Sequence, residues 1–227
     1  MSLLSRLSEK SWETPGVVGF AEPDSYRPAA ERVGLYVYFG VACVLFSLLI
    51  MAYLVRMGVG VHGAAEHGGG QDWRSMPKPP LLWINTAVLV TSSLAWEVAR
   101  RAVYELEWER MRRLALLGAG LGLLFLAGQL LLWQQYQAAG YFLATNPANA
   151  FFYLLTSLHG LHLVGGVIAC ARAVGRLGES GVELSGARNI ALCAIYWHFL
   201  LLVWLVLLGL LTGWTNDFVD ICRQLLS

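Results

Sequence analysis

Two histidines, His159 and His162, stand three residues apart in FFYLLTSLHGLHLVGG, within a long apolar run. On a helix that spacing puts both rings on nearly one face. A third histidine, His198, sits in a second apolar run, YWHFLLLVW. Imidazoles in such surroundings do one of two things: they ligate a haem or metal, or they hydrogen-bond to neighbouring helices. A bis-histidine haem needs ligands on opposing helices at matching depth. The sequence places His198 nearer the outer part of its span than a haem shared with the other two would require. No Cys, Asp or Glu joins the three. Hydrogen bonding is the better reading, with ligation of haem or a metal as the alternative.

Other polar residues share these apolar surroundings. Trp83, Asn85, Thr86, Thr91, Ser92, Ser93 and Glu97 fall in one segment, Gln129 in the next, and Tyr196, Trp197 and Trp204 accompany His198. Asn85 is costly against lipid and is expected to bond across to another helix. Ser92 and Ser93 permit back-bonding and close packing. Gly118, Gly120 and Gly122 lie in mid-span with no preceding strand, so they are packing positions rather than a phosphate loop. Gly160, Gly165 and Gly166 play the same part beside the histidines.

The elements that must position these residues are membrane spans. The 227 residues are 57% hydrophobic and 14% charged, with mean hydropathy +0.56. Soluble domains carry nearer a quarter charged residues. Five candidate spans have about the length a bilayer demands: 34–55, 81–103, 114–136, 148–172 and 187–214. Pro79 and Pro80 suit the start of the second. The stretch 56–79 reads as a loop, and 104–113 as a charged connector. There, Glu97 pairs with Arg100 and Arg101, and Glu105 and Glu109 with Arg112 and Arg113, on a solvated helix extension. A proton-collecting or partner-docking surface is the competing reading of those charges. The fold class is therefore all-α, a polytopic bundle of five transmembrane helices (33–227) behind a polar arm at 1–32. That arm has no apolar h-region and is not expected to be a cleaved signal peptide.

Orientation follows from the basic residues. The N-terminus and the second and fourth connections carry Arg6, Lys10, Arg27, Arg32, Arg100, Arg101, Arg110, Arg112, Arg113, Arg172, Arg176 and Arg188. The other side holds Arg56, Arg74, Lys78 and Arg223. The positive-inside rule then puts the N-terminus in the cytoplasm and the C-terminus outside. A net charge of +1 gives no reason to expect nucleic acid. Cys43, Cys170, Cys193 and Cys222 lack paired spacing, so neither disulfides nor a cysteine metal site is expected. Apart from Glu97 near the cytoplasmic end of span two, the span interiors hold no Asp or Glu, and no inverted-repeat halves with broken helices appear. This is poor equipment for a proton pump or transporter.

Five motifs in order make the chain resemble subunit III of haem-copper terminal oxidases, in the shorter five-helix bacterial form. They are AYLVR at 52–56, PPLLWINTAVLVTSS at 79–93, GLLFLAGQ at 122–129, FFYLLTSLHGLHLVGG at 151–166 and YWHFLLLVW at 196–204. The resemblance covers roughly residues 33–214. It implies a non-redox accessory subunit in aerobic respiration, packed on a catalytic subunit I that carries the haems and copper, with subunit II and other respiratory-complex subunits as further partners. It implies bound phospholipid in a V-shaped helix arrangement, support of proton uptake and stability, and a place in the bacterial plasma membrane. Trp83, Asn85, Gln129, His159, His162, Trp197 and His198 become inter-helix or lipid-cleft residues, and Arg100, Arg101 and Arg172 lipid-headgroup contacts. No catalytic, cofactor or metal residue is assigned to the chain itself. The family's Ser-Glu pair in span one is Val41-Ala42 here, and the aspartate of its His-Phe-Val-Asp motif is Leu201. Related accessory subunits of nitric oxide reductases or other respiratory complexes, and a free-standing haem or metal protein using the three histidines, are the alternatives.

Overall fold

The computed structural model describes residues 30–67, 77–175 and 183–212. The 1–32 arm, most of the loop before Pro77 and the C-terminal tail with Cys222 lie mainly or wholly outside these. Among the described residues every regular element is helical: α1 (Ala30–His67), α2 (Pro80–Tyr104), α3 (Trp108–Ala138), α4 (Pro147–Gly175) and α5 (Glu183–Leu211). All five contain a stretch long and apolar enough to cross a membrane. The chain divides after Val37 into two units. The described part of the first is the opening two turns of α1; all that follows concerns the second.

The expected spans correspond one-to-one to these helices, which run longer at several ends. α1 continues to His67, so 56–67 is helix rather than loop. Glycines 58, 60 and 63 weaken that stretch by only about 1 kcal/mol each, and no proline interrupts it. The 104–113 connector shrinks to a turn at 105–107. Its ion pairs differ from expectation too: Arg110 takes Glu105 at 3.3 Å and Glu107 at 2.8 Å, while Arg113 donates to the Glu109 carbonyl. The turn reverses the chain between Glu105 and Arg110 and so brings them together.

Helix ends follow local chemistry. Pro79 and Pro80 open α2, where a missing N–H costs nothing. Asn146 caps α4, its Oδ1 accepting from the Ala148 N–H at 2.9 Å, with Pro147 as first helical residue. α2 and α3 end in the same motif. Glu107 N–H bonds Ala102 O and Leu106 N–H bonds Val103 O, as Tyr141 bonds Tyr136 and Gly140 bonds Gln137. The left-handed position is Gly140 (φ 86°) in one and Leu106 (φ 57°) in the other. Only the second carries a Cβ penalty.

α2 pairs with α3 and α5, and α4 pairs with α3 and α5, closing a four-helix ring. One apolar cluster centres on Leu89, Phe125, Leu132, Leu163 and Trp204. A second, toward the arginine-bearing end, gathers Trp96, Met111, Cys170, Ile190 and Trp197. α1 joins through large side chains, Phe46 and Tyr53 packing with Leu155, Val203 and Leu207 of α4 and α5. Outside, Val41, Leu48, Ile84, Leu123, Leu161 and Leu202 are exposed by half or more. Such a surface suits hydrocarbon and would aggregate in water.

The glycines divide by face. A Cβ on Gly118 would lie 2.7 Å from Trp96 Nε1, and one on Gly122 2.9 Å from Trp197 Cζ2, whereas at Gly120 nothing lies within 4 Å. Gly118→Val is expected to destabilise the bundle by about 1–3 kcal/mol through overpacking and Gly120→Val to change it by less than about 0.5, read from resistance to denaturing detergent. In the same assay Leu106→Gly should stabilise, and Gly140→Leu destabilise, by about 1 kcal/mol.

Candidate functional site

Indole N–H groups in an apolar interior need acceptors, and α2 supplies several. Thr86 Oγ1 donates to Leu82 O of its own helix at 2.8 Å and accepts from Trp204 Nε1 at 3.0 Å. Two turns on, Ser92 Oγ donates to Gly118 O of α3 and accepts from Trp197 Nε1 of α5, each at 2.7 Å. One hydroxyl thus joins three helices. Asn85 Nδ2 donates to Gln129 Oε1 at 3.3 Å. Both residues are 3% exposed, and a Cβ on neighbouring Gly128 would collide with Asn85 Oδ1. On the far side Trp133 Nε1 donates to Thr156 Oγ1, which back-bonds Phe152 O of α4.

The three histidines go to three different settings. His198 shares a 2.6 Å hydrogen bond with Ser93 Oγ through Nδ1, and its Nε2 lies 3.5 Å from Glu97 Oε2. Since a carboxylate bound to guanidiniums is acceptor only, the neutral ring carries its proton on Nε2 and accepts at Nδ1 from the serine. Glu97 is held by Arg100 through two bonds of 2.7 and 2.9 Å and by Arg101 at 3.2 Å. His198 therefore lies toward the arginine-bearing end of the bundle. His159 stands beside Trp204, six residues and about 9 Å further along α5.

His162 donates from Nδ1 to Leu158 O at 2.7 Å. Its ring lies between Tyr38 (5.9 Å) and Phe46 (5.4 Å) of α1. Buried Ala42 occupies the same α1 stripe midway between those two. Tyr196 OH donates to the His162 carbonyl at 2.7 Å and meets Tyr38 OH at 3.3 Å. His159, fully buried, is packed against Phe125 (5.9 Å, edge-on) and Trp204 (5.3 Å). Neither of its nitrogens bonds a described residue.

The sequence-selected residues thus sort themselves. Asn85 and Gln129 meet; Trp197 and His198 reach α2 through separate serines. Trp83 lies half exposed on the outside of α2, away from the buried set. Arg101 and Arg172 are exposed and Arg100 partly so, all at one end of the bundle. Among the described residues no three of His, Cys, Asp and Glu converge on a metal position, and Cys43, Cys170 and Cys193 are free thiols. Thr86, Thr156, Tyr38 and Tyr196 complete the network. Their only sequence signal is the requirement that each intramembrane indole or phenol find a partner.

The family model for cytochrome c oxidase subunit III matches residues 73–216. The chain belongs to the cytochrome c oxidase subunit III family. The matched stretch spans α2 to α5 and holds the whole serine, threonine and histidine network. Relatives extend the likeness. A cytochrome c oxidase subunit 3 of Thermostichus vulcanus is 29% identical over 186 residues, covering 82% of this chain and 88% of that one. That of Bacillus sp. (strain PS3) is 26% identical, covering 76% and 80%, and that of Synechocystis sp. is 26% identical, covering 80% and 74%.

In this subunit III fold, Ser92→Ala leaves the Trp197 indole without its acceptor and is expected to cost about 1–2 kcal/mol. Thr91→Ala removes only a bond from an exposed hydroxyl to its own helix and should cost less than about 0.5. Detergent-denaturation curves of the two variants test the contrast.

Proposed function

We propose that the chain is the non-redox accessory subunit III of a bacterial haem-copper oxidase, packed in the plasma membrane against the catalytic subunit that holds haem and copper. The family match over residues 73–216 carries this reading. The way the histidines are used supports it. His198 is committed to Ser93 and Glu97, His162 to its own helix, and His159 to aromatic rings. These are the uses of a scaffold rather than of a redox centre.

The arginines orient the scaffold. With the N-terminus cytoplasmic, Glu97, Arg100, Arg101 and Arg172 lie at the cytoplasmic interface. There the arginines contact lipid headgroups, and the paired carboxylate of Glu97 beside His198 adds a polar end from which proton uptake by the catalytic subunit is supported. Subunit II completes the complex.

The test is a mild-detergent purification through a tag on this chain, with a reduced-minus-oxidised spectrum. A large haem-bearing subunit that consumes oxygen is expected to co-migrate, and His162→Leu should leave its haem spectrum unchanged while loosening the subunit. A colourless chain purified alone, nitric oxide reduction in place of oxygen consumption, or a haem spectrum altered by His162→Leu would overturn the reading.

A further inference from the structure

Spacing along the chain does not pair Cys170 with Cys193, which stand on different helices. The packing of α4 against α5 does. The two thiols hydrogen-bond to each other and are 2% and 7% exposed. Both belong to the apolar cluster at the arginine-bearing end, which also holds Met111 of α3 and Trp96 of α2, each buried. Four helices thus bring two thiols, a thioether and an indole into one cluster. Among the described residues no His, Asp or Glu completes a set of three with the cysteines. Cys43, by contrast, is exposed on α1.

The cluster is not sealed. A cleft of about 610 Å³ between α3 and α4 is lined by Cys170, Met111 and Trp96, and by Trp108, Glu109 and Arg112 where α3 begins. Trp96 Nε1 is buried and bonds none of the described residues. A buried N–H without an acceptor is costly. On the wall of a cleft that also carries a thiol, it is a donor with an anion to wait for.

The donor set narrows the ligand. Thiolate and thioether are soft, and among the biological metals they select copper(I). Structural zinc takes four ligands from Cys, His and carboxylates, more than this cluster offers. Copper(I), with a filled d shell, is satisfied by two thiolates and accepts a thioether as a third donor. A coordinating thiol gives up its proton outright. Two thiols and one copper(I) therefore yield a singly anionic bis-thiolate and two protons, which leave along the cleft, and no electron is transferred. Glu109 and Arg112 offset one another in charge on the cleft wall, so the Trp96 N–H is the group left to stabilise that anion.

We propose that Cys170 and Cys193 hold one copper(I) ion as a bis-thiolate, with Met111 as thioether donor and the Trp96 N–H hydrogen-bonded to the complex. The site is separate from the copper of the catalytic partner and needs no particular identity for that partner.

The experiment uses the intact complex, equilibrated anaerobically with copper(I) buffered by a chromophoric chelator. Native mass spectrometry then ejects this chain from the complex, so that metal carried by it is distinguished from metal in the partner. The chain is expected to leave with one copper in place of two protons. Cys170→Ser and Cys193→Ser should each abolish this, and Cys43→Ser should leave it unchanged. Met111→Leu and Trp96→Phe nearly conserve volume and should each weaken binding about tenfold or more, the usual worth of a supporting group at a metal site, read by competition with the chelator. These two keep the test decisive if the cysteine variants fail to assemble. A metal-free chain at saturating copper(I), copper retained in Cys170→Ser, affinity unmoved by both Met111→Leu and Trp96→Phe, or recovery of the two cysteines as a metal-free disulfide would overturn the proposal. None of these readouts depends on the haem spectrum or on oxygen consumption, so the two readings fail separately.

Discussion

A polar group buried in this bundle can find a partner only inside protein, because hydrocarbon offers none; most do, while both His159 nitrogens and Trp96 Nε1 bond none of the described residues. Ser92 shows how far that constraint reaches. Its hydroxyl can accept from Trp197 and donate to the Gly118 carbonyl only if α3 approaches α2 closely. That approach is possible because Gly118 presents no Cβ to Trp96. Trp197 in turn lies across Gly122, one helical turn along the same face of α3. The serine, the two glycines and the two indoles are thus one unit, in which packing and hydrogen bonding cannot be separated. The ring of α2, α3, α4 and α5 is built around it, while α1 attaches through aromatic side chains instead.

The same constraint accounts for the unequal use of the histidines. His198 lies at the arginine-bearing end, where a carboxylate can be retained because two guanidiniums hold it, and it can therefore engage Glu97. His162 lies deeper and opposite α1. Position 42, where the resemblance implies a glutamate, is an alanine on the very stripe that flanks this ring. With no carboxylate to receive it, Nδ1 turns back to Leu158 O, and the neighbouring Tyr38–Tyr196 pair occupies the polar space between α1, α4 and α5. Leu201, at the position of the other missing carboxylate, packs against the main apolar cluster. Removing an unpaired buried charge costs a fold little, and the apolar contacts made here are consistent with that.

Much of this was legible in the sequence, and physics explains what was not. Span number and type follow from composition, because a bilayer sets one length scale for every helix. Helix starts at Pro79-Pro80 and Asn146-Pro147 are written in local chemistry. The end of α1 is not, since isolated glycines weaken a helix without stopping it. Gly118, Gly120 and Gly122 look alike in sequence, and only the direction of their faces makes two of them packing sites and the third an outward position. That Asn85 needs a partner is legible; that the partner is Gln129 depends on the register of α2 against α3. Likewise, that His198 meets Ser93 and Glu97 depends on the register of α5 against α2, which no local pattern records.

The polarity of the bundle along its length follows from these placements. Toward one end, α2 ends in Glu97, Arg100 and Arg101, α3 begins with Glu109, Arg110, Arg112 and Arg113, and α4 ends near Arg172. The charged groups thus collect where the helices leave hydrocarbon, and the Glu97–Arg100 pair is drawn partly inward, the carboxylate at 18% and the guanidinium side chain at 34% exposure. Deeper in, charge gives way to hydroxyls and amides: Ser93 and Ser92, then Thr86, Asn85 and Gln129, then Thr156. Each is small enough to bond its own helix or the helices packed directly against it, as Ser92 does with both α3 and α5. Such a gradient anchors the bundle at a fixed depth, because sliding it inward would desolvate the arginines and sliding it outward would expose the apolar belt. A subunit whose helices must present a constant face to a larger partner needs that fixed depth more than it needs any reactive group.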